Sequence, residues 1–258
     1  MEYAHLSSTV SIKTIKESDT EGVFEIEGLY AGYGLTLGNA LRRALLSSLP
    51  GAAVTYIKVK NVSHEFSTLP GVQEDLVSII LNFKKIRLQM DTSEPQVLLL
   101  EAKGEKEVTA GDIKKNAQVS IVNPEEHIAT LTDKKAELSI EITVERGLGY
   151  SPVESRKSEK LPIGVIGVDA LFSPVRSVNY AIENMRVGER TDYNKLRFTV
   201  VTDGTVSPSS ALHKSANILR DHFECVSGIE VKGAEKETPA SEESAPKKRG
   251  RKKKETVE

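Results

Sequence analysis

The sequence predicts an α+β fold on three observations. Helix-period patterns sit near both ends and once in the first half, and a long middle stretch alternates apolar and polar residues as half-buried strands do. No regular strand–helix alternation of the kind that builds a parallel sheet runs through it. The 258 residues suffice for one large domain or two interlocked smaller ones. With 38% hydrophobic residues, 5% aromatics and no Trp, the core is expected to be Ile, Val, Leu and Ala.

Residues 10–30 alternate around a turn-like "ESDTEG", which predicts a strand hairpin. "AGYGLTLGNALRRALLSSLPG" (31–51) follows. From Leu37, the residues Ala40, Leu41, Ala44, Leu45 and Leu49 keep helical spacing, and Pro50-Gly51 supplies a stop. At about 100° per residue, Asn39, Arg42, Arg43 and Leu46 fall on the opposite face. That face reads either as a solvated basic surface with one Leu or as a contact surface, where Arg beside apolar side chains is favoured. The glycines Gly32, Gly34 and Gly38 depart from G-x-G-x-x-G spacing. They either shape the turn into the helix or, less in keeping with the strand pattern that follows, cradle a phosphate.

Residues 54–62 alternate again. "GVQEDLVSIILNFKKI" from Gly71 predicts a second helix, with Glu74 and Asp75 in its first turn and Lys84 and Lys85 in its last, as the helix dipole favours. Residues 86–145 read as strands, most clearly Leu138, Ile140, Ile142 and Val144 with polar neighbours, a sheet with one solvated face. "ERGLGYSPVE" and "KLPIGVIGVDALFSPV" read as loops joined to short strands, and strands are expected around 177–187 and 196–202. A third helix is expected from Ser209 to Ser227, ended by Gly228, with the coiled-coil-like stripe Leu212, Ala216, Leu219, Phe223 and Val226. Cys225 within it is expected to be a buried, inert thiol.

Residues 234–258 lack apolar periodicity and are expected to be disordered. Their basic cluster, Lys247, Lys248, Arg249, Arg251, Lys252, Lys253 and Lys254, suits weak phosphate contact but also a merely solvated tail. "HEFST" lacks the second His of a zinc-protease helix, adjacent Glu74 and Asp75 point to different helix sides, and a single Cys with five scattered His gives little support to a metal site. No catalytic centre, metal or cofactor is expected in this chain. No apolar run approaches the roughly 20 residues of a membrane span and the first residues show no signal-peptide pattern, so a cytoplasmic protein without membrane contact is expected.

Five segments, "LTLGNALRRALLSSLPGAAVTYIKV", "HEFSTLPGVQEDLVSIILNFK", "ERGLGYSPVE", "LPIGVIGVDALFSPV" and "RVGERTDYNKL", together closely resemble the N-terminal domain of the alpha subunits of bacterial-type DNA-directed RNA polymerase. The resemblance implies a non-catalytic subunit of a nucleotidyltransferase complex, acting in transcription as a homodimeric platform on which the beta and beta-prime subunits assemble in a bacterial cytoplasm or a plastid. It implies the two-subdomain alpha N-terminal fold: a dimerisation subdomain of sheet plus two packed helices from residues 1–50 and 173–233, and an inserted, mainly β subdomain from 51–172. Carried over by position, Arg42, Arg43, Leu46, His64, Glu65, Gly71, Glu74 and Asp75 are expected to face the beta subunit, and Lys84 and Val168 the beta-prime subunit. Leu41 and Leu45 with Leu212, Ala216, Leu219, Phe223 and Val226 are expected to build the dimer core. Family members commonly continue into a C-terminal promoter-binding domain that the resemblance does not cover here, so contact with DNA is expected to be indirect or weak, through the basic tail.

Overall fold

A computed structural model describes residues 9–62, 64–156, 162 and 164–229. In chain order the elements are β1 (Ser11–Glu17), β2 (Glu21–Leu29), α1 (Tyr33–Ser47), β3 (Pro50–Val59), α2 (Leu76–Phe83), β4 (Leu88–Met90) and β5 (Gln96–Lys103). There follow β6 (Lys106–Thr109), β7 (Val119–Ile121), β8 (His127–Leu131), β9 (Glu137–Leu148), β10 (Tyr150–Ser151), β11 (Val165–Gly167), β12 (Ala170–Leu171), β13 (Val175–Val187), β14 (Arg190–Thr202) and α3 (Pro208–Ser227). All strand pairings are antiparallel, so the α+β expectation holds.

The first sheet has the order β1-β2-β14-β13. Its inner face carries Phe24, Ile26, Val178, Leu196, Phe198 and Val200, and these pack with Leu41, Leu45 and Leu49 of the α1 segment and Ala211 of α3 into one core. On the other face Glu25 is held by Arg197, whose Nε and Nη2 donate at 2.8 and 2.5 Å, and by Lys195 Nζ at 2.7 Å. Lys195 also reaches Glu27, which pairs with Lys13 at 2.6 Å. Alternation along β2 thus sends apolar side chains to the helices and charges to the far side.

The second sheet runs β5-β9-β3-β4-β7, with β11 also paired to β3. In β9 the residues Leu138, Ile140, Ile142 and Val144 are all buried, as their alternation predicts, and pack with Leu76, Ile79 and Phe83 of α2 in a larger, separate core. A small third cluster, Ala53, Ala170 and Phe172, lies where the chain enters and leaves this second unit.

Three sequence expectations need correction. The first helix begins at Tyr33, four residues before the apolar spacing from Leu37, so Gly34 and Gly38 lie inside it and are buried. A Cβ on Gly38 would stand 3.1 Å from the Tyr180 ring and 3.2 Å from Leu196, and one on Gly34 3.0 Å from Asn194. Their absent side chains let α1 lie close on β13 and β14. Secondly, α2 begins at Leu76 rather than in the Gly71 turn: Asp75 is its N-cap, accepting from the Ser78 N–H at 2.9 Å, Glu74 precedes it and Lys84 is its C-cap. Thirdly, Cys225 is exposed, because α3 buries Pro208, Ala211 and Ser215 and its last turns extend past the sheet.

Replacing Gly38 by Val places two methyl groups against Tyr180 and Leu196, an overpacking expected to cost about 1–3 kcal/mol. Urea unfolding should show a lower midpoint with an unchanged slope, and an unchanged midpoint would mean that α1 is not seated on this sheet.

Candidate functional site

The first N–H groups of a helix need acceptors from outside it. Gly32, the N-cap of α1, sits at φ 87° and has no side chain to supply one. Asn194 of β14 does so instead: its Oδ1 accepts from the Gly32 N–H at 2.9 Å and the Gly34 N–H at 3.3 Å, and its Nδ2 donates to Asn184 Oδ1 at 3.4 Å. These N–H groups are therefore occupied, which excludes the phosphate-cradle reading of the glycines. Asn194 is not among the residues expected from the sequence to matter here. The signal was a polar residue at an inward position of a strand whose following inward positions are Leu196, Phe198 and Val200.

Capped at one end and buried along Gly34, Gly38, Leu41, Ala44 and Leu45, α1 turns Arg42, Arg43 and Leu46 outward. Leu46 is 37% exposed, and neither arginine has a carboxylate partner among the described residues. Leu41 and Leu45 lie in the core of their own chain. Any part they take in an interface is through the helix they anchor.

The 64–75 segment belongs to the second unit. His64 and Glu65 are exposed, and the His64 ring lies 3.2 Å from Ser67 Oγ. Gly71 O accepts from the Thr132 N–H at 2.9 Å, and the Gln73 N–H donates to Thr130 O at 3.0 Å, which ties the segment along β8. Glu74 turns inward: its carboxylate accepts from the Thr130 N–H at 2.7 Å and Thr130 Oγ1 at 3.1 Å, and meets His127 Nε2 at 3.0 Å. His127 Nδ1 lies 3.2 Å from Glu107, so the imidazole bridges two carboxylates. Burial alone would push Glu74 up, but the Thr130 N–H and His127 outweigh it and hold the carboxyl below its usual range. Of the acidic pair, Asp75 caps α2 and Glu74 fastens the loop.

Glu65, Lys84 and Val168 line one cleft of about 590 Å³, walled by Phe66, Val77 and Leu81 on one side and by Tyr150 and Val153 on the other. Lys84 Nζ stands 3.4 Å from Asp169 Oδ2, while Asp169 Oδ1 accepts from the Val153 N–H at 3.0 Å. Asp169 is held below the usual carboxylate range by that N–H first, against burial, and then by Lys84. Val168 is 1% exposed and presents no side-chain surface. On α3, Leu212 and Leu219 are half-buried against the first core, while Ala216 is exposed and Phe223 and Val226 are 65% and 61% exposed. The expected stripe thus runs off the core onto open surface. The basic cluster Lys247–Lys254 lies outside the described residues.

Among the described residues no group of three or more His, Cys, Asp or Glu is placed to hold a metal ion, and no helix is long and apolar enough to cross a membrane. A family model described as RNA polymerase Rpb3/RpoA insert domain matches residues 56–173. The chain is 55% identical over 210 residues to a DNA-directed RNA polymerase subunit alpha of Symbiobacterium thermophilum, covering 81% of this chain and 66% of that one. It is 50% identical over 225 residues to the subunit of the same name from Moorella thermoacetica, covering 87% and 72%. A third, from Alkaliphilus oremlandii, is 49% identical over 214 residues, covering 83% and 67%. The chain thus spans about two thirds of the length of these relatives.

A carboxyl held below its unfolded value stabilises the fold above that value and loses its contribution as the pH falls through the folded value. Glu74→Gln should therefore be less stable than the parent near pH 7, with the gap closing below about pH 4.5 as Glu74 itself protonates. Unfolding free energies measured from pH 7 to 3 for both proteins check this. A gap that stays constant with pH would show that the charge of Glu74 plays no part.

Proposed function

This chain belongs to the family of DNA-directed RNA polymerase alpha subunits, and we propose that it works as the non-catalytic assembly subunit of that polymerase, a homodimer that receives the beta and beta-prime subunits. In this reading the halves 1–50 and 173–233 form the dimerisation subdomain, 51–172 forms the insert, and assembly takes place in a bacterial cytoplasm.

The observation that carries the reading is the outward face of α1. A helix pinned by packing at two glycines and capped by a remote Asn is a rigid mount, and it holds Arg42, Arg43 and Leu46 toward solvent. Arg combined with apolar side chains is the composition favoured at interface centres. The loop face bearing His64 and Glu65 would extend the same beta-facing contact, with Gly71, Glu74 and Asp75 supporting it from within. Lys84 and its cleft would face beta-prime. A second observation supports self-association: Phe223 and Val226 on the last turns of α3, and Ile229 just past its end, are large, apolar and exposed. Such patches on a folded chain mark interaction surfaces. The basic tail would add only sequence-indifferent, salt-sensitive attraction to nucleic acid, since clustered Lys and Arg neutralise phosphates without reading base edges.

Arg43→Ala removes a surface guanidinium and no core volume. It should leave folding and dimerisation intact while weakening capture of the beta subunit, by about 2 kcal/mol if Arg43 is a hot spot. Affinity capture of tagged beta, beside sedimentation of the variant, measures both. Undiminished capture would remove Arg43 from the interface.

Phe223→Ala should leave the melting of the single chain nearly unchanged, because the ring is 65% exposed there, and should shift the protein from dimer to monomer at micromolar concentration. Sedimentation velocity distinguishes the two states. A parent protein that sediments as a monomer would overturn the homodimer, and a variant that stays dimeric would place the contact elsewhere.

A further inference from the structure

Val168 and Lys84 both line the cleft assigned to beta-prime, yet only Lys84 has side-chain surface to offer. Val168 is buried, and what it contributes is backbone. Its N–H donates to Thr55 O at 2.8 Å and its carbonyl accepts from Arg156 Nη2. Arg156 also donates to Thr55 O and Ser151 O, at 3.3 and 3.4 Å, with its guanidinium 5.2 Å from the centre of the Tyr56 ring. These bonds tie residue 168 to β3 and to the 150–156 loop, and so set where the next residue, Asp169, points. Asp169 touches both walls of the cleft: one oxygen takes the Val153 N–H and the other faces Lys84 at the end of α2.

We propose that Asp169 is the positioning residue of this cleft, holding Lys84 and the 150–153 loop in the geometry that receives a segment of the beta-prime subunit, and that buried Val168 acts on that subunit only through Asp169. The inference rests on the reading that this face meets beta-prime. A long lysine left free loses rotamer freedom when a partner binds; one already held by a carboxylate loses less. The Lys84–Asp169 pair is partly exposed, with side chains 32% and 37% accessible, so its value lies in orientation rather than in stability.

The experiment uses the full chain reconstituted with both large subunits and measures the affinity of the preformed alpha–beta complex for beta-prime. Asp169→Asn keeps an oxygen for the Val153 N–H and removes the charge facing Lys84, so a purely structural role would leave it unaffected. Asp169→Asn and Lys84→Ala are each expected to weaken beta-prime binding roughly two- to ten-fold. The double variant should be no weaker than Lys84→Ala alone, with beta capture and melting temperature unchanged throughout. Full affinity of Asp169→Asn beside a weakened Lys84→Ala would overturn the proposal while leaving the face assigned to beta-prime. Losses that multiply in the double variant would also overturn it. Full affinity of both single variants would remove the proposal together with the assignment of this face.

Discussion

The close seating of α1 on β13 and β14 is the constraint on which the first unit depends. A helix with Gly34 and Gly38 in its interior has poor intrinsic propensity, since each glycine costs about 1 kcal/mol relative to alanine. It forms because the same glycines let its backbone approach Tyr180, Leu196 and Ile182 within ordinary packing distance of a bare Cα. That approach brings Asn194 under the first turn, where one side-chain oxygen satisfies two N–H groups. Orientation follows: with Leu41, Ala44 and Leu45 committed inward, Arg42, Arg43 and Leu46 have only the outside.

The second unit is built on a different economy. Its core is larger and gathers residues from β3 to β9, α2 and β11, so it does not lean on α1 or α3 for burial. The 64–75 segment rests Leu69 and Val72 against that core, and polar contacts fasten its end. Glu74 collects the Thr130 N–H, the Thr130 hydroxyl and His127 in one place. The chain's entry and exit from this unit meet at Ala53, Ala170 and Phe172, which lets it sit as an insertion between the two halves of the first.

Charge is divided by face in the same way. On the sheet surface away from the helices, Glu25 is almost fully covered yet stays ionised below its usual range, because Lys195 and then Arg197 bond to it. A buried carboxylate is tolerated only with such partners. The outward face of α1 carries two guanidinium groups without carboxylates among the described residues, and a charge left without an intramolecular partner beside an exposed Leu is available to another chain.

The sequence by itself determined the local faces. Alternation told which residues of β9 are buried, helical spacing told that Arg42, Arg43 and Leu46 share the side opposite Leu41 and Leu45, and the apolar stripe ended by Gly228 located α3 to within a residue at its start. Only the tertiary structure decided what covers each face. The start of α1 at Tyr33 depends on an acceptor 160 residues away in sequence, and the inward turn of Glu74 on a strand more than fifty residues later. Val168 is buried because it joins the core of the second unit, and Phe223 is open because α3 outruns the sheet that covers its first turns. Periodicity records the angle between neighbours on one element, a local quantity, whereas burial is set by where another element lies, and that is fixed by pairing between distant segments.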